Sequence, residues 1–478
     1  MSFIKKVAVH SAIQIIGKAI YALLGLCSLF VLTRLLGPDN FGKFHIITIF
    51  VTSIGIIADM GIYLVALKEL STPHQDTQNH FPELLGTRIA ISAAWYLLSP
   101  LIILFFPYAL GIKIAILLTA VINIFNSVSQ LSSAVFQTHF KTHFSAYAEI
   151  IGRTLLLVIV FTAFKTHNQS ALIVSLVALI VGSCATMIMH LFFLKKYTSI
   201  IPRFSKQACV RTIQTSWPIA LSILFTLIYV KADSIILSLF KPMSDVGLYG
   251  VPYRILETLT TIPIVVMGLF IPRLSAYWAE GNTPSFHALL EAAFQLLSLI
   301  AAPCIGIAIL IASPFMEFVA GKEFLTQPQN LHILSTLFVM LMSATMIIFL
   351  GATFTQTIIC INKQKSMLVW YIIIAVSALV AYLIFIPLYS YYAAATITIL
   401  TEAGIAFASW KTIQRTTNCA IHLHYPLRIF LIAIGITLIL KPLGLGLFPT
   451  IALYTTLYCA FIYLMRIPHH LLNITRHL

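Results

Sequence analysis

Residues 17–70 read GKAIYALLGLCSLFVLTRLLGPDNFGKFHIITIFVTSIGIIADMGIYLVALKEL, and the plan of the whole chain is visible in this stretch. Two apolar runs, each long enough to cross a bilayer at roughly 20 residues per crossing, are joined by a short turn that contains proline, glycine and charged residues. The same alternation continues through all 478 residues, of which 60% are hydrophobic and only 9% charged. No gap is long enough to hold a soluble domain. The chain is therefore predicted to be an all-α polytopic membrane protein with about 14 transmembrane helices.

The distribution of positive charge predicts the orientation. With the N-terminus inside, 19 of the 29 Lys and Arg residues fall on the cytoplasmic side, seven fall outside and three lie within apolar runs. This bias follows the positive-inside rule and predicts an inner-membrane protein with both termini in the cytoplasm. The formal net charge of +15 is then explained by loops that face anionic lipid head groups, and not by nucleic acid. The first apolar run is not followed by a small-residue cleavage site, so it is predicted to be retained.

The longest basic gap divides the chain into two halves. It reads KKYTSIIPRFSKQACVR (195–211) and lies between predicted helices 6 and 7. The first predicted domain is a six-helix lobe at 1–197, followed by a cytoplasmic linker at 198–212. A second six-helix lobe is predicted at 213–415, and two additional helices with a cytoplasmic tail at 416–478. The count of fourteen depends on dividing 427–466 at Lys441-Pro442; a single bent helix there would place the C-terminus outside.

A short internal repeat supports the two halves. LLGPDNFGKF (35–44) follows helix 1, and LFKPMSDVGLY (239–249) follows helix 7. Each contains a proline, a polar turn, an apolar residue, glycine, one further residue and an aromatic residue. Internal repeats of this kind are common in transporters. Because both segments lie on the predicted outer side, they indicate two parallel repeats.

Two segments carry a family resemblance. The stretch 17–70 has a basic residue early in helix 1, L-x-R-x-L-G-P-x-x-F-G after it and A-D-x-G near the end of helix 2. The second segment, 229–280, reads YVKADSIILSLFKPMSDVGLYGVPYRILETLTTIPIVVMGLFIPRLSAYWAE. Both resemble the polysaccharide (O-antigen-type, Wzx-like) flippases of the multidrug/oligosaccharidyl-lipid/polysaccharide exporter superfamily. The motifs distinguish this family well from enzymes and less well from its relatives in the superfamily.

This resemblance implies a MATE/MurJ-like transporter with two six-helix lobes around a central cavity. It implies a cargo of oligosaccharide repeat units linked to undecaprenyl pyrophosphate, moved from the cytoplasmic to the periplasmic leaflet for surface polysaccharide biosynthesis. Its partners would be the lipid-linked oligosaccharide, membrane lipids and polysaccharide polymerase machinery. The sugar itself is not implied.

Three cations interrupt the apolar runs and are candidates for binding the pyrophosphate. They are Lys18, Lys231 and Arg254. A cation in the membrane interior is costly, so each is a functional-site hypothesis. Arg254 offers a planar donor fork suited to phosphate. The alternative for all three is a structural role, in an ion pair or in contact with lipid head groups.

Four acidic residues are candidates for counter-charges or for coupling to an ion gradient. They are Asp59, Asp233, Glu257 and Glu402. Asp59 is predicted at the depth of Lys18 on the antiparallel helix. Glu257 lies three residues after Arg254 on the same helix face, whereas Glu402 has no helical partner.

Three further basic residues receive structural interpretations. Arg34 and Arg88 lie at helix ends and are predicted to anchor in the lipid head groups. Arg153 lies four residues after Glu149, a spacing that predicts a local ion pair.

Enzymatic function is not indicated. The seven cysteines are scattered without a CxxC pair, no Gly-rich nucleotide loop is present, and no catalytic, metal or cofactor site is predicted. The alternatives to a polysaccharide flippase are a multidrug exporter or a lipid II flippase of the same architecture. A membrane glycan polymerase or ligase is less well supported, because no long extramembrane loop exists to hold its active site.

Overall fold

The computed structural model describes residues 3–70, 77–139, 141–166, 170–419, 422 and 424–464. Within these ranges side chains are described except at 3–15, 64, 68, 77–80, 218, 219 and 222. This part of the chain forms α-helices and one 3₁₀ turn, and it contains no strand.

Fifteen α-helices are assigned in the described residues, and we number them in chain order. Their bounds are α1 Phe3–Asp59, α2 Ile62–Leu70, α3 Thr77–Leu104, α4 Leu110–Thr119, α5 Ile122–Thr138, α6 His143–Lys165, α7 Ala171–Leu194, α8 Lys206–Phe240, α9 Met243–Leu259, α10 Thr261–Ala279, α11 Thr283–Ala320, α12 Pro328–Cys360, α13 Gln364–Thr417, α14 His424–Leu440 and α15 Leu447–Leu464.

Two of these helices are too long for a single crossing. At 57 and 54 residues, α1 and α13 would each extend about 80 Å, against roughly 30 Å of hydrocarbon. Each has one non-helical residue inside it, Gly37 with φ 64° in α1 and Ser390 with φ 51° in α13. The described residues hold twelve segments long and apolar enough to span a membrane, and these two kinked segments are among them. Dividing both at the kink gives fourteen apolar segments, which is approximately consistent with the predicted number.

The C-terminal apolar stretch is two helices, as the sequence predicts. Helix α14 ends at Leu440, a 3₁₀ turn covers Lys441–Leu443, and Gly444 takes a left-handed conformation before α15 begins. The ring of Pro442 fixes φ, and glycine adopts a positive φ at little cost, so the local sequence favours a turn at this point.

Contacts divide the chain into two compact units, Met1–Gly250 and Val251–Leu478. In the first unit, α3, α5 and α7 contribute buried apolar residues such as Phe81, Leu131 and Phe136. In the second, α11 and α12 form a core that includes Leu297 and Phe349. Many large apolar side chains remain on the surface, as expected of helices that face lipid. The division into lobes at 1–197 and 213–415 stays a prediction.

The two repeat loops contact one another within the first unit. A Cβ at Gly42 would overlap the carbonyl oxygen of Met243, and a Cβ at Gly247 would overlap the carbonyl oxygen of Pro38. The relation is reciprocal, because each glycine faces the backbone four residues before the other. Glycine is thus required at both positions for the two backbones to approach so closely.

A hydrogen bond from α15 stabilises a proline position in α11. Pro303 has no N–H, so it cannot bond to the carbonyl of Leu299 as a helix interior requires. The Tyr458 hydroxyl donates to that carbonyl instead, at 2.9 Å. The backbone acceptor that Pro303 leaves is therefore satisfied by a side chain 159 residues away.

Candidate functional site

A polar cavity of about 300 Å³ lies inside the first unit, among helices α1, α5, α6 and α7. Charged or hydrogen-bonding side chains make up most of its lining, with a few glycines and leucines: Lys18, Tyr21, Asn126, Ser129, Gln130, Ser133, Glu149, Gly152, Arg153, Leu156, Leu179, Gly182, Ser183, Thr186 and His190. A second cavity of about 200 Å³ shares Lys18, Gln130, Ser133 and Glu149 with it and extends to Tyr63 of α2. The two cavities therefore form one polar region within membrane-spanning helices.

The polar wall of this region follows from the sequence of α5. Its polar residues recur every three or four positions, at Asn126, Ser129, Gln130, Ser133 and Gln137, and so lie along one face of the helix. The opposite face contributes to the core of the unit. The predicted site residues do not include this stripe, although its helical period is visible in the sequence alone.

Lys18 and Glu149 form an ion pair at the cavity. The Lys18 Nζ lies 2.7 and 3.0 Å from the two carboxylate oxygens of Glu149 on α6. The two side chains retain 38% and 26% exposure, so the pair is open to water or to a ligand. Asp59, the candidate counter-charge predicted at the depth of Lys18, is not its ion-pair partner, because depth in the membrane carries no information on lateral position.

Arg153 also lines the cavity and is not paired with an acid. The predicted local pair with Glu149 is wrong, because Glu149 bonds Lys18. The Arg153 guanidinium instead lies over the ring of Tyr21, 5.0 Å from its centroid, a cation–π contact. Its Nε is buried without a hydrogen-bond acceptor among the described residues, and no carboxylate of that part of the chain lies within ion-pair distance.

Asp59 pairs with Arg88, at the break between α1 and α2. Met60 and Gly61 have positive φ there, and the Asp59 carboxylate accepts from the Gly61 N–H at 3.2 Å. The Arg88 side chain is 2% exposed; it bonds Asp59 and, at 2.7 Å, the Gln130 amide oxygen. The prediction of Arg88 as a head-group anchor is therefore wrong. Since Gln130 lines both cavities, a polar network joins the helix break to the cavity wall.

The other candidates of the first unit, Lys231 and Asp233, are both buried in α8. The Asp233 carboxylate accepts from the Tyr249 hydroxyl of α9 at 2.7 Å and from the Ser234 N–H at 2.6 Å. Lys231 is 7% exposed. Asp233 thus joins α8 to α9, and the transport roles of both residues stay predictions.

The remaining candidates belong to the second unit. Arg254 bonds Glu257 at 3.2 Å, the intrahelical pair expected from their spacing. Glu402 lies in the second half of α13, near Tyr371. Among the described residues its carboxyl has no hydrogen bond or ion pair. Of the candidate acids, Glu402 is thus the one whose carboxylate is not compensated by a hydrogen-bond donor or a cation among the described residues.

Comparisons with known proteins agree with this architecture. A family model described as "Polysaccharide biosynthesis protein" matches residues 31–329, which is more than half of the chain. A structure of the lipid II flippase MurJ in an inward closed conformation superposes with a TM-score of 0.76 at 14% identity, covering 95% of this chain and 98% of that one. A comparison with curated protein sequences gives no match.

Two further transporter structures have the same fold. An inward-facing multidrug resistance MATE family transporter of the MOP superfamily gives a TM-score of 0.66 at 11% identity, with 85% of this chain and 98% of that chain covered. A MOP superfamily transporter from Pyrococcus furiosus gives 0.58 at 13% identity, with 87% and 96% covered. At these identities the likeness shows the fold, and the predicted all-α, MATE/MurJ-like class is confirmed.

Proposed function

The chain belongs to the polysaccharide biosynthesis protein family, and on this premise we propose that it is a flippase for lipid-linked oligosaccharide. The cargo is a repeat unit carried on undecaprenyl pyrophosphate, moved from the cytoplasmic to the periplasmic leaflet of the bacterial inner membrane. The product serves the synthesis of a surface polysaccharide such as O-antigen, capsule or exopolysaccharide. Polymerase machinery on the periplasmic side is the proposed consumer.

The observation that carries this proposal is positive charge inside membrane-spanning helices, next to a polar cavity. An anion cannot cross a low-dielectric region at acceptable cost without compensation. Lys18 lines the cavity, and Lys231 and Arg254 are further cations within the apolar runs. Each of these cations is proposed to compensate charge of the pyrophosphate head, while hydroxyl and amide groups such as those of α5 suit the sugars.

The proposed mechanism is alternating access, without a covalent step. The pyrophosphate and sugars travel through the polar interior, and the polyprenyl tail remains in the bilayer. Asp59, Asp233 and Glu257 are held in ion pairs or hydrogen bonds. Glu402 has no such partner among the described residues, so we favour it as the group that takes up a proton or cation during the cycle, because an unpaired carboxylate within a membrane-spanning helix is costly.

The test is a flipping assay with purified protein in liposomes. Fluorescent undecaprenyl-pyrophosphate oligosaccharide is incorporated, and the fraction accessible to an added glycosidase is followed with time. We expect the protein to make all of the lipid accessible, whereas protein-free liposomes expose only the outer half. Parallel assays with lipid II and with a cationic dye address the two alternatives. Transport of either one without movement of the oligosaccharide lipid would contradict the proposal.

A further inference from the structure

Arg153 occupies a position that the proposed function does not assign. It lies on α6, inside the apolar run His143–Lys165, and lines the 300 Å³ cavity. Two cations, Lys18 and Arg153, and one acid, Glu149, line that cavity. Lys18 and Glu149 neutralise each other, so the positive charge of Arg153 remains uncompensated by the described residues. A guanidinium in a membrane-spanning helix without an acidic partner is expected to compensate a bound negative charge.

The contacts of Arg153 orient its guanidinium but do not use its N–H groups in hydrogen bonds to the described residues. The Tyr21 ring supports the guanidinium, and its outer nitrogen passes close to Gly25 of α1, where an added Cβ would lie 3.1 Å away. Arg153 makes no hydrogen bond within the described part of the chain. A planar fork that is supported on one face and has free N–H groups matches the oxygens of a phosphoryl group.

Glu149 lines the same cavity, four residues before Arg153 on α6, and pairs with Lys18. Its carboxylate holds Lys18 through two contacts, of 2.7 and 3.0 Å, so it competes with any anion for the lysine. A phosphoryl anion that reached Arg153 would attract the Lys18 ammonium and repel the Glu149 carboxylate. Both side chains are partly exposed, so the lysine can change partner without refolding.

We propose that Arg153 is the primary phosphoryl-binding residue of the first unit, and that Lys18 joins it when an anion displaces Glu149. The inference rests on the proposed function only for the identity of that anion, the pyrophosphate of the cargo. A free inorganic pyrophosphate or a phospholipid head group has the same chemistry. Ser129, Ser133 and Thr186 supply hydroxyl groups at the same cavity.

The experiment measures binding of inorganic pyrophosphate to the full-length protein in phosphatidylcholine nanodiscs by isothermal titration calorimetry. Arg153→Gln is expected to weaken binding about tenfold or more, since a charge-assisted bond is lost. Arg153→Lys keeps the charge but lacks the planar guanidinium, so its affinity is expected to lie between those of the wild type and Arg153→Gln. Arg211→Gln is the matched control, because Arg211 belongs to the same unit and is exposed.

The decisive variant is Glu149→Gln. If Glu149 only orders the helices, its loss weakens binding or leaves it unchanged. If it competes for Lys18, its loss tightens binding by at least threefold, and Lys18→Gln abolishes that gain. Unchanged affinity in Arg153→Gln, or affinity that is unchanged or weaker in Glu149→Gln, overturns the inference. Thermal unfolding of each variant identifies misfolded protein, and Arg153→Lys provides the comparison if the glutamine variant does not fold.

Further arms distinguish the source of the anion. Polyprenyl pyrophosphate or phosphatidylglycerol is added to the nanodisc, and displacement of inorganic pyrophosphate is measured. Displacement by the polyprenyl lipid alone supports the cargo head as occupant, and displacement by phosphatidylglycerol identifies bulk lipid. Arg153-dependent binding without oligosaccharide flipping retains the inference and contradicts the proposed function. Flipping of the oligosaccharide lipid together with unaltered pyrophosphate binding in Arg153→Gln supports the proposed function and contradicts the inference about Arg153.

Discussion

Arg88 and Asp59 form an ion pair that is almost removed from water. Arg88 is 2% exposed and Asp59 20%, and the pair holds the chain where α1 stops and α2 begins. Removing one partner of such a pair leaves an uncompensated charge, which typically costs about 3–5 kcal/mol. The pair is therefore expected to matter more for folding than for cargo binding.

We predict that Arg88→Gln lowers the stability of the protein by about 3 kcal/mol, measured by thermal unfolding in detergent. The double variant with Asp59→Asn is expected to recover part of the loss, because no unpaired charge then remains. Lys18→Gln serves as the contrast: its pair with Glu149 is over one-third exposed on the lysine side, so the loss is expected to stay below about 1 kcal/mol. Equal losses for Arg88→Gln and Lys18→Gln would contradict this view.

The sequence predicts pairs that are close along the helix and misses those that are distant. Arg254 and Glu257 are three residues apart, and helix geometry alone brings them together. Lys18 and Glu149 are separated by 131 residues. Their contact depends on how α1 and α6 are rotated against each other, which hydropathy does not determine. The Arg153 prediction failed for the same reason, because a distant lysine took its local partner.

Helices α11 and α15 are joined by a hydrogen bond in which the Tyr458 hydroxyl donates to the Leu299 carbonyl oxygen. This hydroxyl replaces the N–H that Pro303 lacks. We predict that Tyr458→Phe destabilises the protein by about 1–3 kcal/mol, the usual cost of an unsatisfied buried polar group. In a Pro303→Ala background the helix supplies its own N–H, so the same change is expected to cost much less. Thermal unfolding of the four proteins in this cycle measures the difference. Equal costs in both backgrounds would show that the hydrogen bond is not the cause.

The reciprocal glycine contact gives a second prediction for the elements. Gly42→Ala and Gly247→Ala each introduce a Cβ against backbone that cannot move aside as a side chain would. We expect each to lower stability by about 1–3 kcal/mol, a typical cost of overpacking. Gly435→Ala is the control, because no atom lies within 4 Å of its added Cβ. That variant should be neutral or slightly stabilising, since alanine favours helix.

The number of crossings could be predicted from the sequence, because a span requires a fixed length of apolar residues. The turn at Gly37-Pro38 and the division at Lys441-Pro442 also follow from local chemistry. The kink at Ser390 does not, since serine rarely takes positive φ without tertiary support. The cavity could not be predicted from the charged residues, because the polar face of α5 consists mainly of neutral side chains.

For the whole molecule, the charge bias predicts both termini in the cytoplasm. Fusing a fluorescent protein that matures only in the cytoplasm to either terminus should give fluorescence. Alkaline phosphatase inserted after Lys322, between α11 and α12, should be active because this gap is predicted outside. Activity after Arg203, between α7 and α8, is not expected. A C-terminal fusion that gives no fluorescence with the fluorescent protein but gives activity with alkaline phosphatase would place the C-terminus outside and contradict this prediction.

The Tyr458 contact also gives the chain an order of assembly. Leu299 leaves the ribosome 159 residues before its hydroxyl partner. At about 5–20 residues per second this delay is roughly 8–32 s. During that time a backbone carbonyl in a nascent membrane helix has neither a donor from its own helix nor the tyrosine. Synthesis of α15 therefore supplies the donor that completes the hydrogen bonding of α11, and a ribosome that stalls before α15 leaves the Leu299 carbonyl without it.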